Sequence, residues 1–447
     1  MPALGEIKIE DYDQLDKLAK EELLSRQKVI NLAWSYYKRE HKKWLIDPES
    51  KKPTPENVTV NLTRRVINQT VAFLFGKAPQ ISAGEELADV VSSLIKENEE
   101  GKFFTSLGQE GSVSGHCFVK LFPEGNGVRW IVQDSRLVRA FWRFDDGRQA
   151  VAYMIKWGDK KSSYRQDILL NPVTKKWMIR DLQKEGSDAW KDWGTTAWEW
   201  NFDFSPIVDW QNMPDQSSYY CESDLIALEL NDATNFTASN INAILKYHAS
   251  PKTIGTGISA DQIKETAVNG FFTTENENAK VYNLEIGGEA LANSMAFLEF
   301  ERDSFFSESQ AVDMSKLKEK ANDITNFALR VMFADALEKN NLKQQSYGAG
   351  LEKLIKRSLI ILGKAAASLP VKILWNDPLP INKTEIATNA QIGVTAGWMS
   401  LKTASEETGH NWEKEKASID AEKAEEGDDL AAKVLKLVAD EQDAGAV

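Results

Sequence analysis

Histidine and cysteine most often carry metal or nucleophilic chemistry in proteins, and this chain has few of either. It contains four histidines and two cysteines in 447 residues. His116 and Cys117 are adjacent, but no further ligand follows them at the spacing that a zinc site needs. The pair is better explained as the start of a strand, and two cysteines cannot form a disulfide scaffold. We predict no metal site and no cofactor.

The motifs of common enzyme classes are missing from the sequence. It has no GxxxxGK[ST] phosphate loop, no GxGxxG after a strand, no HExxH, no GxSxG and no CxxC. Asp145 and Asp146 fit a turn, and Asp428 and Asp429 lie in an acidic tail. One predicted helix carries four acidic residues that we expect on its charged outer face: Glu299, Glu301, Asp303 and Glu308. No catalytic residue is nominated, and we predict that the protein is not an enzyme.

Lysines give a different signal in this chain. Lys316, Lys318 and Lys320 cluster in a predicted loop, and Lys246 and Lys252 lie where a long helix meets an insert. A few cations directed at one place could reduce the repulsion of a passing polyanion without binding it tightly. Ordinary solvated lysines explain each of them equally well, and the sequence leaves both interpretations open.

The charge balance limits the possible partners. The 67 acidic and 54 basic side chains give a formal charge of -13, which argues against coating nucleic acid through phosphate neutralisation. It does not argue against DNA that passes through. No stretch reaches the ~18 to 20 consecutive apolar residues of a membrane span, and the N-terminal residues lack the pattern of a signal peptide. We expect no membrane partner, and a location inside a cell or in particles released by lysis.

Hydrophobic periodicity in the first half predicts helices and then strands. Helical patterns span residues 8–45, 61–75, 85–98 and 103–115. From Cys117 to Trp210, short strand-like runs alternate with turn clusters, and nine of the fourteen tryptophans lie between Trp130 and Trp210. Tryptophan suits half-buried sheet positions, so we expect an antiparallel β-rich core.

The second half is mainly helical, which makes the fold class α+β. A helix is predicted from Ser223, its cap, to His248, with Asp224 in its first turn. Residues 251–291 form a small mixed insert, and a second helix covers 292–308. A loop over 309–320 leads to a very long helix that two glycines could kink, then to a strand, a helix and a charged helical tail. The two glycines are Gly348 and Gly350.

The first of these helices has two contrasting faces. One face carries mostly Asn, Thr and Ser, which is typical of a packed surface rather than a solvated one. Its apolar stripe consists of Ile226, Leu230, Ala233, Phe236 or Thr237, Ile241 and Ile244 or Leu245.

This order of elements resembles the portal proteins of tailed double-stranded DNA phages, and most closely the siphophage branch of Gram-positive hosts. Local sequences support the resemblance along most of the chain. They are NLTRRVINQTVAFLFGKAP (61–79), FSPIVDWQNMPD (204–215), SDLIALELNDATN (223–235), ILWNDPLPINKTEIA (373–387) and GWMSLKTASEETG (397–409). Each is a loose pattern, and it is their order that is specific.

The resemblance implies a portal-type architecture with a β-rich wing, a helical stem, a small α/β clip and a helical crown, assembled as a ring. The implied segments follow the chain. They are the wing (1–222), stem helix 1 (223–249), the clip (250–291), stem helix 2 (292–308), the tunnel loop (309–321), the wing's long helix and strand (322–390), and the crown with its acidic tail (391–447).

The resemblance also implies a function and partners. Family members form a dodecameric ring at one capsid vertex, through which double-stranded DNA is packaged, retained and ejected. The implied partners are other copies of this chain, the terminase, a head-to-tail adaptor, and the major capsid and scaffolding proteins, in a virion assembled in the host cytoplasm. A separate motor that hydrolyses ATP would explain the missing phosphate loop.

In this family the tunnel loop reaches toward the DNA. The resemblance assigns Asp313, Met314, Lys316, Lys318 and Lys320 to that loop, and it places Lys246 and Lys252 as basic residues where stem and clip meet. The loop is lysine-rich here and lacks the Gly- and Ser-rich stretch expected of the family.

Two other functions are compatible with the sequence. A soluble carbohydrate-binding or carbohydrate-active protein could use the aromatics from Trp177 to Trp210 as a sugar platform, with Trp198 and Trp200 as the residues to replace. An intracellular scaffold built on the long helices would need a sustained heptad repeat, which these helices do not show.

Overall fold

A computed structural model of the chain gives the fold. It describes residues 26–142, 149–159, 161–194, 196–215, 218–249, 253–257, 276–283, 288–317, 325–364, 370–379 and 383–423. The predicted turn at Asp145 and Asp146, the acidic pair Asp428 and Asp429, and Lys252, Lys318 and Lys320 lie outside these residues.

Four helices open the described chain. They are α1 (Arg26–Tyr37), α2 (Leu62–Phe75), α3 (Ala88–Glu97) and α4 (Glu100–Ser114). Helix α2 begins where the Asn61 side chain accepts the backbone N–H of Arg64, as an N-cap does. Helix α4 ends at Gly115, which takes a positive φ and whose added Cβ would lie 2.1 Å from the Cys221 carbonyl oxygen.

Helix α1 ends earlier than its pattern predicts. It ends at Tyr37, and Arg39 has a left-handed φ of 72°. The following chain is held in an irregular path by Asn57, whose side chain accepts the backbone N–H groups of Trp44 and Leu45. The prediction of a helix up to residue 45 is therefore wrong, because these side-chain bonds replace helical ones.

The β-rich unit consists of two antiparallel sheets. The first has the order β10-β2-β3, from β2 (His116–Glu124), β3 (Gly127–Val132) and β10 (Ile207–Gln211). The second has the order β4-β5-β6-β7-β8, with β9 also on β7. Its strands are β4 (Val138–Trp142), β5 (Ala150–Gly158), β6 (Ser162–Leu170), β7 (Trp177–Glu185), β8 (Lys191–Asp192) and β9 (Trp198–Glu199). The predicted antiparallel β-rich core is confirmed.

Tryptophan side chains mostly serve this core. Trp177 and Trp200 are buried in the cluster beneath the second sheet, and Trp130 and Trp210 are buried in the cluster that also holds helix α4. Trp198 is exposed at the sheet edge. A sugar platform built on Trp177 and Trp200 is therefore wrong, because their faces are covered by protein.

Two long helices and a small insert follow. They are α5 (Leu228–Ala249), the hairpin β11 (Thr253–Thr256) with β12 (Lys280–Asn283), and α6 (Gly288–Glu308). Next come the short α7 (Met314–Leu317), α8 (Asn326–Met332) and the 28-residue α9 (Ala334–Ile361). Strand β13 (Lys372–Leu374) pairs with β1 (Gln80–Ser82), and α10 (Lys383–Thr395) and α11 (Leu401–Glu407) complete the labelled elements.

These elements belong to two compact units. The first comprises residues up to Lys316 together with 333–378, and the second comprises 317–332 together with residues from Leu379 onward. In the second unit, α10 packs on α11, and the Glu385 carboxylate accepts the backbone N–H of Asn326 at 2.8 Å.

Helix α9 is the centre of the first unit. Its side chains Leu351, Leu354, Ile355 and Leu359 are fully buried against helix α4 and the first sheet. The helix runs without interruption through Gly348 and Gly350, so the predicted kink is wrong. A Cβ at Gly350 would lie 2.2 Å from the Trp210 ring, whereas one at Gly348 would make an ordinary contact.

The two glycines give a matched test of this packing. We expect Gly350→Ala to lower the free energy of unfolding by about 1–3 kcal/mol, because Trp210 must move. We expect Gly348→Ala to raise it by roughly 0.5–1 kcal/mol, because alanine restricts the unfolded chain and fits the helix. Chemical unfolding followed by tryptophan fluorescence measures both changes. Equal effects at the two positions would contradict the packing.

Candidate functional site

A polar face of helix α5 contacts the rest of the first unit. Helices α5 and α6 pack against each other. On α5, the Asn235 side chain accepts the backbone N–H of Val60 at 2.7 Å, and Ser239 accepts that of Val58 at 2.9 Å. Asn231 donates to the Val60 carbonyl at 3.0 Å. All three of these α5 side chains are buried, which confirms the predicted close-fitting Asn, Thr and Ser face.

The spacing of these bonds has a geometric reason. Four residues of helix rise about 6 Å, and two residues of extended chain span about 6.6 Å. Side chains at every fourth position of α5 can therefore meet every second residue of the segment 58–60, which precedes helix α2. The match lets amides and a hydroxyl be buried, because each of them meets a backbone polar group.

The apolar stripe predicted for this helix is only partly covered by the chain itself. Ile241 is buried, but Ile226, Phe236 and Leu245 are exposed. Helix α6 likewise exposes three large apolar side chains in a single chain: Met295, Phe297 and Phe300. The Phe297 and Phe300 rings stack on each other with centroids 6.1 Å apart.

Glu301 does not lie on a solvated outer face as predicted. It is buried between the two helices, where the Thr237 hydroxyl donates to its carboxylate at 3.3 Å. Burial raises the pKa of Glu301. Asp303, another of these four acidic residues, is about half exposed and forms an ion pair with Lys316.

The chain leaves α6 through a tight backbone motif. Gln310 has a φ of 50°, the Gln310 N–H donates to the Ser307 carbonyl, and the Ala311 N–H donates to the Phe306 carbonyl. This is the pattern of a Schellman cap, in which glycine usually takes the left-handed position. The Ser309 carbonyl accepts Lys339 Nζ of α9 at 3.1 Å. The end of α6 is therefore fixed to the long helix.

A group of charged and polar residues surrounds the next segment, and we call it the Asp313 cluster. Arg302 Nη2 lies 2.6 Å from Asp313 Oδ2, and Arg65 Nη2 lies 3.4 Å from Asp313 Oδ1. The Ser315 hydroxyl donates to Asp313 at 2.7 Å. The full cluster consists of Arg65, Gln69, Arg302, Asp303, Val312, Asp313, Ser315 and Lys316.

The Asp313 carboxylate is almost completely buried in this cluster. Burial alone would raise the pKa of Asp313, but the Ser315 hydrogen bonds and the guanidinium groups of Arg302 and Arg65 bring it below its ordinary value. Gln69 completes the contacts, because its side-chain amide both donates to the Val312 carbonyl and accepts the Val312 N–H, at 3.1 and 3.0 Å.

The structure separates the basic residues named from the sequence. Lys316 pairs with Asp303, and Lys246 pairs with Glu56, whose pKa is lowered to about 2 by that hydrogen bond. Met314 is exposed at the start of α7, whereas Asp313 is buried. The sequence interpretation missed Arg65, Gln69 and Arg302. The adjacent Arg64 and Arg65 in the motif of α2 were the available signal.

The start of α5 is held by a buried ion pair. Helix α5 begins at Leu228, five residues after the predicted Ser223 cap, so Asp224 does not lie in its first turn. Instead, Asp224 lies 2.5 Å from Lys343 Nζ and 3.5 Å from Lys339 Nζ, and Asn212 donates to it at 3.0 Å. Burial opposes its charge, but Lys343 and Lys339 bring the pKa of Asp224 below its ordinary value.

His116 and Cys117 point to opposite sides of strand β2. His116 Nε2 lies 3.0 Å from Asp209 Oδ2, and Cys117 Sγ donates to the Tyr347 hydroxyl at 3.5 Å. Burial raises the pKa of Cys117 to about 12. Within the described part of the chain, no three His, Cys, Asp or Glu side chains are grouped to hold a metal ion. His116 and Cys117 are the first residues of β2, which confirms that the pair stands at the start of a strand.

A family match gives this arrangement its class. The sequence pattern of the family described as "Phage portal protein, SPP1 Gp6-like" matches residues 16–429. The chain therefore belongs to this phage portal family, which is a family of structural proteins and not of enzymes. No curated protein matches the sequence significantly.

Two solved structures show what the fold is similar to. The neck of a native gene transfer agent particle, computed with C12 symmetry, matches at 12% identity and a TM-score of 0.44, over 78% of this chain and 89% of that one. The neck of the empty particle, computed with C6 symmetry, matches at 12% identity and a TM-score of 0.46, over 78% and 90% of the two chains. None of the described helices has the length and apolar character that crossing a bilayer requires.

Replacing the buried carboxylate tests its role at the start of α5. We expect Asp224→Asn to lower the free energy of unfolding by about 3–5 kcal/mol, because Lys343 keeps its charge in a dry site. Asp203→Asn is the control, because Asp203 forms an exposed pair with Lys176; we expect its unfolding midpoint to match the wild type. Urea unfolding at neutral pH measures both.

The pH dependence of stability in the wild type and in Asp224→Asn gives a second readout. Since the pKa of Asp224 is lowered in the folded protein, its contribution is complete above the ordinary value of 3.8 and is lost as the pH falls through the lowered one. We expect the wild type to lose this part of its stability below pH 3.8, and Asp224→Asn to lack it. An unchanged profile in Asp224→Asn would contradict the assignment.

Proposed function

We propose that this portal protein assembles as a dodecameric ring at one capsid vertex and forms the channel for viral DNA during packaging, retention and ejection. The observation that carries the proposal is the family match over nearly the whole chain. The ring would dock the terminase first and the head-to-tail adaptor later, and it would contact the major capsid and scaffolding proteins. The proposed location is the virion, after assembly in the host cytoplasm.

The proposed division of the chain follows from the family resemblance. Residues 1–222 and 322–390 form the wing, and 391–447 form the crown and tail. Helices α5 and α6 carry the stem, 250–291 the clip, and 309–321 the tunnel loop. The antiparallel pair of strands β11 and β12 lies in the chain between the two stem helices, which supports a small clip there.

Exposed apolar side chains on the stem support assembly. Phe297 and Phe300 are 54% and 64% exposed, although their helix already packs on α5. Exposed aromatic side chains cost free energy in water unless another surface covers them. Neighbouring copies in a closed ring would cover the same face of every subunit.

Charge supports a channel that lets DNA slide. The formal charge is -13, so the ring would neutralise few phosphates. Because Lys316 and Lys246 are already paired with carboxylates, the proposed positive potential at the narrow part of the channel rests on Lys318 and Lys320. Lys252 would add to it where stem and clip meet.

Mass photometry and negative-stain imaging of the purified chain test the proposal directly. We expect a closed ring of about twelve subunits with a central hole, the cyclic symmetry that such a channel needs. A chain that remains monomeric at every salt and protein concentration, including with capsid and scaffolding protein present, would refute it.

Replacing the stem aromatics tests the proposed contact between copies. We expect Phe297→Ser with Phe300→Ser to abolish rings and leave a folded monomer with wild-type circular dichroism. Both side chains are exposed in the single chain and add little to its own core. Phe122→Ser on strand β2 is the control, since Phe122 is also exposed, and it should still form rings. Rings from the double variant would move the contact elsewhere.

Neutralising the remaining loop lysines tests the proposed potential. We expect Lys318→Gln with Lys320→Gln to reduce the length of DNA retained after packaging while rings form normally, because fewer cations oppose its escape. Lys402→Gln, which removes a lysine from an exposed pair on α11, is the control. DNA retention equal to wild type would remove both lysines from the mechanism.

A further inference from the structure

The Asp313 cluster joins helix α2 to α6 and to the segment that follows α6. Helix α2 contributes Arg65 and Gln69, and α6 contributes the neighbours Arg302 and Asp303. The segment 312–316 contributes a backbone amide group, a buried carboxylate and an ammonium group, and each of them has a partner on one of the two helices.

The strengths of these contacts differ. Asp303 and Lys316 are both about half exposed, so their pair alone adds little stability. Asp313 is 6% exposed, and losing a partner would leave its charge buried and unbalanced. Arg302 also donates to the Ser315 hydroxyl at 2.7 Å, so one guanidinium contacts two side chains of the segment, Asp313 and Ser315. Arg302 is therefore the main contact. The pair of Asp303 with Lys316 adds a second, weaker contact between α6 and the segment.

We propose that Arg65, Gln69, Arg302 and Asp303 are positioning residues that set the path of segment 312–316, and that Lys316 serves in this cluster and not in contact with DNA. The inference rests on the proposed function, in which this segment begins the tunnel loop.

The geometry has a mechanical consequence. Arg302 and Asp303 are adjacent on α6 and hold Asp313 and Lys316 respectively, so a rotation or shift of α6 carries the segment with it. Gln69 and Arg65 hold the same segment to α2. The start of the loop therefore follows the stem only as far as α2 permits. The left-handed turn at Gln310 connects the segment directly to the last turn of α6.

Hydrogen exchange on the purified chain tests the positioning role without reference to DNA. We expect Arg302→Ala to speed exchange of the Val312, Ser315 and Lys316 amides by at least ~10-fold, because their local structure opens more easily. Arg302→Lys, which keeps the charge but loses the planar fork, should fall between this variant and wild type. Arg129→Ala is the control, because it removes an arginine from an exposed ion pair with Glu124 in the wing. Equal exchange in Arg302→Ala and the control would overturn the inference.

A charge exchange decides the role of Lys316. We expect Asp303→Lys and Lys316→Asp each to speed exchange in 312–316 and to reduce DNA retention by assembled rings, because like charges then face each other. The double variant should restore both readouts to within ~2-fold of wild type. If the double variant restores exchange but retains DNA as poorly as Lys316→Asp, the ammonium acts on DNA itself and the inference is wrong. Wild-type chain that forms no ring would refute the proposed function, whereas the exchange results would still decide the positioning role.

Discussion

The buried carboxylate of Asp224 is the constraint on which the rest of the first unit depends. A desolvated charge costs several kcal/mol unless it is paired, so helix α9 must place Lys343 and Lys339 beside it. Lys339 also donates to the Ser309 carbonyl at the end of α6. One helix therefore fixes where α5 begins and where α6 ends. The apolar stripe of α9 is buried among α4 and the first sheet, so the ends of the helix pair are held to the rigid core of that unit.

The two long helices are held to the rest of this unit by polar contacts along α5 and by the buried rings of Phe305 and Phe306 at the end of α6. Asn231, Asn235 and Ser239 are buried because each meets a backbone group of the segment 56–63. Other large side chains of α6, such as Phe297 and Phe300, stay exposed in the single chain. An amphipathic pattern distinguishes two faces of a helix, but it does not say which face the chain itself covers. Here the polar face is covered because its spacing matches an extended neighbour.

Features that depend on neighbouring residues in sequence could be predicted. Helices α2, α3 and α4 and the antiparallel strands of the β-rich unit all follow from local chemistry and periodicity. The failures have distant partners as their cause. Ser223 and Asp224 have the chemistry of a helix start, but lysines more than 100 residues away claim the carboxylate. Two glycines in α9 suggest a kink from sequence alone. In the structure Gly350 instead gives room to the ring of Trp210. Family membership could be predicted because it depends on the order of elements, which survives such local errors.

The candidate site shows the same division, and it changes what the lysines mean. Across α5, α6 and the segment up to residue 316, the only lysines are Lys246 and Lys316, and each pairs with a carboxylate. A cluster of lysines in a sequence predicts positive potential only if those charges are unopposed. Here the described part of the proposed channel wall carries balanced or excess negative charge, which lowers its affinity for phosphates. Such a wall suits a polymer that must move in both directions, because each tight contact would have to be broken again at every step.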